Sequence, residues 1–113
     1  MQRNFRLTRS TDFKRVRRDG KSNAHPLIVL IALENQLSIT RVGVAAGKRV
    51  GNAVIRNRAK RLMRAAARAL HPQIKQGWDI IIIARKPIIR STMPQVRDAL
   101  QALLQRAHLI QDV

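Results

Sequence analysis

Two seven-residue runs, 27–33 and 78–84, constrain the fold of this chain more than any other feature. The first is entirely apolar, the second is apolar apart from Asp79, and both are rich in β-branched residues. A strand that is apolar on both faces needs cover on both faces of its sheet. The runs therefore predict two central strands in one small domain, because a chain of 113 residues has no room for a second core.

Local patterns predict the remaining elements. Residues 39–46 alternate in the manner of a strand, whose small, open face carries Arg41 and Gly43. Three helices are expected, and the residues suited to cap them are Ser10, Asn52 and Thr92. The second helix runs to about Leu70. The resulting order is αββαβα, with an extra short strand expected near residues 48–51.

The second helix divides into an apolar side and a basic side. Its apolar residues fall within an arc of about 120°, and they are Ile55, Ala59, Leu62, Met63, Ala66, Ala69 and Leu70. The cations predicted on the opposite side are Arg56, Lys60, Arg61, Arg64 and Arg68. We therefore expect this helix to pack on the sheet and to present a row of cations to solvent.

The excess of cations points to a polyanionic partner. The chain has 23 Lys and Arg against 6 Asp and Glu, a formal charge of +17. Residues 35–78 contain ten Lys or Arg and no carboxylate. Arg, which predominates, suits two-pronged contacts with phosphate, so nucleic acid is the expected partner. Residues 1–9 are predicted to form a flexible basic tail that orders when RNA arrives.

The sequence lacks the residues that several other classes of function require. Without cysteine there is no disulfide, thiolate nucleophile or Cys-ligated zinc. The carboxylates are too dispersed for two-metal hydrolysis, and the three histidines suit surface or helix-end positions. Phe13 and Trp78 are interpreted as core residues, with base stacking as the alternative for each. We expect no catalytic residue, no metal on the protein, no membrane partner and a cytoplasmic location, because no apolar run could span a bilayer.

One segment is more specific. Residues 48–64, KRVGNAVIRNRAKRLMR, strongly resemble the signature of the bacterial ribonuclease P protein subunit, which is built around Arg-Asn-Arg followed by Lys-Arg. Flanking matches occur in the expected order: Arg6-Leu7, Asp12-Phe13 and Gly20 resemble the family's first helix, and residues 79–85 resemble the strand after the signature helix. The resemblance covers nearly the whole chain.

The resemblance implies an α+β domain of αβββαβα order, ribosomal-protein-S5-domain-2-like, with a left-handed crossover between parallel strands. It also implies the protein subunit of a ribonucleoprotein endoribonuclease. In such an enzyme a catalytic RNA, with Mg²⁺ at its own active site, removes the 5′ leader of precursor tRNA. The implied partners are this RNA and precursor tRNA, with no obligatory protein partner and no cofactor held by the protein alone.

The resemblance also implies two sets of binding residues. Those for the catalytic RNA are Lys48, Arg49, Asn52, Arg56, Asn57, Arg58, Lys60, Arg61, Arg64 and Arg68. Those for the leader, in a cleft between the first helix and the sheet, are Phe13, Lys14, Arg17 and Arg41. For Arg58, at the edge of the apolar side, the alternative is that it orients the helix. Arg17 stands where many relatives have an aromatic residue, so leader binding is expected to depend less on stacking.

Two other functions remain as alternatives. A ribosomal or nucleoid-type protein could place the same basic helix in a nucleic-acid groove without any role in cleavage. An autonomous nuclease would cut precursor tRNA in the absence of the catalytic RNA.

Overall fold

In a computed structural model, which describes residues 3–110, three helices and a four-stranded sheet follow the order αβββαβα. The helices are α1 (Ser10–Asp19), α2 (Ala53–Leu70) and α3 (Met93–Arg106). The strands are β1 (Lys21–Ala24), β2 (Ile28–Glu34), β3 (Arg41–Ala45) and β4 (Trp78–Ala84). The α+β order implied by the resemblance is confirmed.

The additional strand is β1, and the expectation of a strand near residues 48–51 is wrong. Residues 48–50 form a turn, which the Val50 N–H closes by donating to the Gly47 carbonyl at 3.1 Å. β1 has the sequence Lys-Ser-Asn-Ala and lies at the sheet edge. It therefore carries none of the apolar periodicity from which a strand is predicted.

The sheet has the order β1-β2-β4-β3. β2 pairs antiparallel with both of its neighbours, whereas β3 and β4 are parallel and are connected through α2. β4 is therefore the only described strand that pairs with β3. It begins at Trp78, 33 residues after β3 ends at Ala45.

The two central strands are β2 and β4, as predicted, but their two faces are covered unequally. One face packs against α2 and α3 through fully buried side chains such as Leu30 and Ile82. The other face meets α1 through a small cluster, whose buried members are Leu7, Val16, Ile31 and Ile81. Val29, Leu33 and Ile83 on this face are only partly buried. A strip of sheet beside α1 is therefore left accessible.

Two of the three predicted caps are confirmed. The Asn52 side chain accepts a hydrogen bond from the Ile55 N–H at 3.0 Å, and Thr92 forms a capping box with Gln95. The prediction that Ser10 caps α1 is wrong. Arg9 is the N-cap residue and its side chain makes no capping bond, because Ser10 already lies within the first turn of the helix.

The buried side of α2 is rotated relative to the prediction. Its buried residues are Ala59, Met63, Ala66, Ala67 and Leu70. Ala69 is exposed, and Ile55 and Leu62 are only partly buried. Because the buried side extends to Ala67, Arg56, Lys60 and Arg64 lie half-buried along its edge.

The segment 3–9, expected to be a flexible basic tail, is attached to the body of the protein. The Leu7 N–H donates to the Val42 carbonyl at 2.9 Å, and the Leu7 side chain is 3% exposed. The Phe5 ring stacks on buried His71, with 4.4 Å between ring centroids. These two apolar side chains give the segment a docking site, and residues 1 and 2 lie outside the described part.

Candidate nucleic-acid interface

The outer face of α2 carries cations with no anion beside them. Asn57, Arg61 and Arg68 are exposed, and Arg56, Lys60 and Arg64 flank them. Among residues 3–110, none of the five Arg and Lys side chains just named lies within salt-bridge distance of a carboxylate. The Nε of Arg56 is buried without a hydrogen-bond partner. The positive charge of this face is therefore available to an external polyanion.

The turn before α2 extends the same surface. Lys48 and Arg49 are exposed there. Asn52, also predicted to bind RNA, uses one lone pair of its side-chain oxygen in the α2 cap, so its amide nitrogen is the donor that it can offer to a phosphate.

Arg58 differs from the other cations of α2. Its guanidinium donates to the carbonyl of Ile89 at 3.1 Å and to that of Ser91 at 3.0 Å. Both acceptors belong to the connection between β4 and α3. This geometry supports the alternative interpretation, in which Arg58 orients the helix.

A cleft separates α1 from the edge strand β3. It has a volume of about 260 Å³, and its lining includes Leu7, Phe13, Gly43 and Arg64. A Cβ atom on Gly43 would lie 2.6 Å from Phe13 Cζ and 2.7 Å from the Leu7 carbonyl oxygen. Only glycine therefore lets Phe13 lie directly on β3. Arg64, predicted to bind the catalytic RNA, lies at the border between the outer face of α2 and this cleft.

A second depression, of about 390 Å³, follows α1 and shares Phe13 with the cleft. Lys14 and Arg17 line it, so three of the four residues predicted to contact the leader form one continuous surface. Phe13 packs against the small cluster under α1 while it lines both cavities. Trp78 packs against the main core, as predicted.

Arg41, the fourth predicted leader residue, is bound within the protein. Its Nε and Nη2 donate to the carboxylate of Asp79 at 2.9 and 2.7 Å. Asp79 is fully buried and also accepts hydrogen bonds from Arg15 of α1 and, at 2.9 Å, from Asn35. We call this cluster, Arg15, Asn35, Arg41 and Asp79, the Asp79 cluster.

The Asp79 cluster keeps its carboxylate ionised. Burial alone would raise the pKa of Asp79, but hydrogen bonds from Arg41, Asn35 and Arg15 outweigh it and hold the pKa below its usual range. The same contacts raise the pKa of Arg41, chiefly through the hydrogen bond to Asp79. Sequence reasoning missed this cluster, although a single Asp in an otherwise apolar strand was the available signal.

A third depression joins the two predicted sets of residues. It has a volume of about 700 Å³ and an apolar floor formed by Val50, Ile83 and Ala84. Its rim carries five cations, which are Arg17, Lys48, Arg49, Arg85 and Lys86. Arg85 and Lys86 were not predicted as site residues, although their position directly after β4 places them at the end of the central strand.

The described residues form neither a metal site nor a membrane-spanning helix. Within residues 3–110, no three or more His, Cys, Asp or Glu side chains are arranged to hold a metal ion. In the same range, no helix has the length and apolar character needed to cross a membrane.

Known proteins provide an independent comparison. Residues 1–108 match the family model described as Ribonuclease P. The Ribonuclease P protein component of Roseiflexus castenholzii is 43% identical over 112 residues, which cover 98% of this chain and 92% of that protein. The component of the same name from Symbiobacterium thermophilum is 40% identical, over 98% of this chain and 97% of that protein.

A solved structure gives the same result. The Staphylococcus aureus RNase P protein superposes with a TM-score of 0.84 at 31% sequence identity. The match covers 95% of this chain and 98% of that one.

Proposed function

The chain belongs to the bacterial ribonuclease P protein family and is the protein component of a ribonucleoprotein endoribonuclease, and from this we propose that its two cationic surfaces bind two different RNAs. The outer face of α2, with Lys48 and Arg49, binds the catalytic RNA. The cleft beside α1 holds the single-stranded 5′ leader of precursor tRNA and so promotes its endonucleolytic removal.

The observation that carries this proposal is the unneutralised row of cations on α2. Arg and Lys side chains on one helical face are spaced to contact successive phosphates of a folded RNA, and such contacts fix position rather than sequence. Arg61 and Arg68 are the most exposed cations of the row, and the neutral Asn57 is also exposed on α2. Arg56, Lys60 and Arg64 widen it towards the cleft.

Leader binding is assigned to a different chemistry. Phe13 offers one aromatic face, which suits one unpaired base, while Lys14 and Arg17 are placed for the phosphates of the same strand. Arg41 is left out of this assignment because Asp79 occupies its guanidinium. The leader is therefore held mainly through its backbone.

The bond-breaking chemistry is assigned to the RNA. Mg²⁺ held by the RNA would supply activation of the attacking water and stabilisation of the leaving group. The protein reduces repulsion between two polyanions by placing cations between them, which lowers the Mg²⁺ concentration that the complex requires. Precursor tRNA in bacteria is processed in the cytoplasm, which is the location we assign.

Reconstitution tests the proposal. Precursor tRNA is incubated at low Mg²⁺ with the catalytic RNA alone, with the protein alone and with both, and 5′-leader release is measured. We expect cleavage only when both are present. Cleavage by the protein alone would establish an autonomous nuclease, and RNA binding without stimulation would favour a ribosomal or nucleoid-type protein.

A second measurement tests whether the protein binds the leader. The affinity of the reconstituted complex is compared for precursor tRNA and for mature tRNA. We expect the protein to increase affinity for the leader-bearing form preferentially. An equal increase in affinity for precursor and mature tRNA would show that the protein does not bind the leader.

A further inference from the structure

The Asp79 cluster joins elements that are far apart in the chain. Asp79 lies on β4, Arg41 on the neighbouring strand β3, and Arg15 on α1, 64 residues away from Asp79. Asn35, in the connection between β2 and β3, donates to the same carboxylate and to the Ile39 carbonyl. One buried group therefore holds α1, the sheet edge and a loop in a single arrangement.

α1 depends on this cluster because the apolar contact that holds the helix to the sheet is small. On that face of the sheet the buried apolar residues are limited to Leu7, Val16, Ile31 and Ile81, whereas α2 and α3 share the large core on the opposite face. Val16 anchors one side of α1, and Arg15, next to it in the chain, reaches Asp79. Together with Phe13, which lies on β3, these contacts fix both the position and the tilt of the helix.

The geometry of the carboxylate makes the attachment directional. Arg41 contacts both oxygens of Asp79, at 2.9 and 2.7 Å, and so fixes the plane of the carboxylate between β3 and β4. Arg15 then donates to one of these oxygens, Oδ2. Because Asp79 has no exposed surface, water does not compete for these contacts. A shift of α1 would break its contact and leave a buried charge with fewer partners.

The same contacts determine which cations face the leader. Arg15 and Arg41 are neutralised by Asp79, with Asp12 also 3.5 Å from Arg15 and 4.0 Å from Arg41. Phe13 and Lys14 directly precede Arg15 on α1, and they line the surface assigned above to the leader. The position of Arg15 therefore sets how Phe13 lies on β3.

We propose that Asp79 is a positioning residue for the leader: through Arg15 it holds α1 at the distance from β3 that the leader cleft requires, and it contacts no RNA itself. This inference rests on the proposed function, because it assigns a cause to the shape of the proposed leader site. Catalytic-RNA binding, which α2 carries, is independent of Asp79.

The test uses two variants in the reconstituted complex. Asp79→Asn keeps the shape of the side chain but presents an amide nitrogen or a neutral oxygen to two guanidinium groups. Arg15→Met removes the link between Asp79 and α1, together with the 3.5 Å contact of Arg15 with Asp12, and leaves the Asp79–Arg41 pair in place. The measured quantity is the ratio of affinities for precursor and mature tRNA, together with affinity for the catalytic RNA alone.

Matched controls separate the effect of moving α1 from the effect of changing the net charge of the protein. Asp19→Asn and Arg18→Met make the same changes in charge at an exposed pair on the same helix, where the side chains of Arg18 and Asp19 are 74% and 47% exposed. Asp79→Asn raises the net charge by one, so general electrostatic attraction would strengthen RNA binding. If Asp79 acts by positioning α1, the variant should instead bind leader-bearing tRNA more weakly.

We expect Asp79→Asn and Arg15→Met to lower the affinity ratio about tenfold, which corresponds to about 1.4 kcal/mol of binding free energy. Catalytic-RNA affinity and the ratios of both controls should match those of the unchanged protein. If Arg15→Met folds and its ratio of affinities for precursor and mature tRNA is unchanged, the inference is overturned. If Asp79→Asn does not fold, the test is made with Arg15→Met alone. If the unchanged protein has no leader preference, the proposed function fails instead.

Discussion

Single residues determine the shape of the leader cleft. Gly43 lets the Phe13 ring lie on β3, and Asp79 binds the arginine that follows two positions after that ring. Neither residue belongs to the basic set expected to bind RNA. Their effects on RNA binding are therefore indirect, and they are separable from loss of a phosphate contact.

Gly43→Ala should disturb the cleft by steric overlap. The new methyl group would lie 2.6 Å from Phe13 Cζ, so the ring and α1 must move. We expect a loss of about 1–3 kcal/mol in the free energy of unfolding together with weaker leader preference, measured by denaturant titration and by tRNA binding. Gly47→Ala is the control, since nothing lies within 4 Å of its added Cβ. Equal stability of the two variants would contradict the close contact.

Acid should weaken the fold through Asp79. Its pKa is lowered in the folded state, so the unfolded chain binds more protons in the acid range, and stability falls as the pH decreases below about 4. The contribution of the ionised carboxylate is complete above that pH. We expect Asp79→Asn to reduce the dependence of the unfolding free energy on pH below about 4, measured by urea denaturation. An unchanged pH profile would show that this carboxylate does not titrate differently in the two states.

At the scale of elements, α2 has two functions in one helix. Its inner side supplies small and medium side chains to the core, and its outer side supplies cations. The cap at Asn52 and the contact of Arg58 with the β4–α3 connection fix the helix on the sheet. Substitutions on the two sides should therefore have separable effects.

Met63→Ala should destabilise the protein by about 2–5 kcal/mol, because it creates a cavity at a fully buried site. Leu62→Ala, at the neighbouring and only partly buried position, should cost less. Thermal or denaturant unfolding measures both. Equal losses would contradict the rotation of the buried side of α2.

Replacing Arg61 and Arg68 by Ala should weaken binding of the catalytic RNA and leave stability nearly unchanged. Each lost phosphate contact should flatten the log–log dependence of affinity on salt by about one unit. Arg97→Ala on α3 is the control, since Arg97 pairs with Asp98 outside the α2 face. A slope that stays unchanged in the double variant would remove these residues from the RNA interface.

Local patterns were sufficient for the elements that the main core fixes. The two apolar runs, the Asn52 cap and the Thr92 cap each depend on neighbouring residues, and all were predicted. β1 was not found because an exposed edge strand needs no apolar side chains. The Asp79 cluster was not found because its partners come from three separate segments, and sequence spacing does not reveal which residues meet.

Across the whole molecule, the sheet depends on its last strand. β4 lies between β2 and β3, so removing it leaves β3 without a described partner strand and removes Asp79. We expect a fragment ending at residue 77 to lack cooperative unfolding in circular dichroism, although it contains α1, α2 and three strands. A cooperative transition in this fragment would contradict the central role of β4.

This dependence has a consequence during translation. The ribosome releases the 44 residues between Glu34 and Asp79, with ten Lys or Arg and no carboxylate, before it releases the strand that completes the sheet. Until then β3 has no partner strand, and the basic segment lies beside abundant ribosomal RNA. Because the pairing of β3 with β4 is non-local, the sheet is completed only after the whole basic segment has been synthesised.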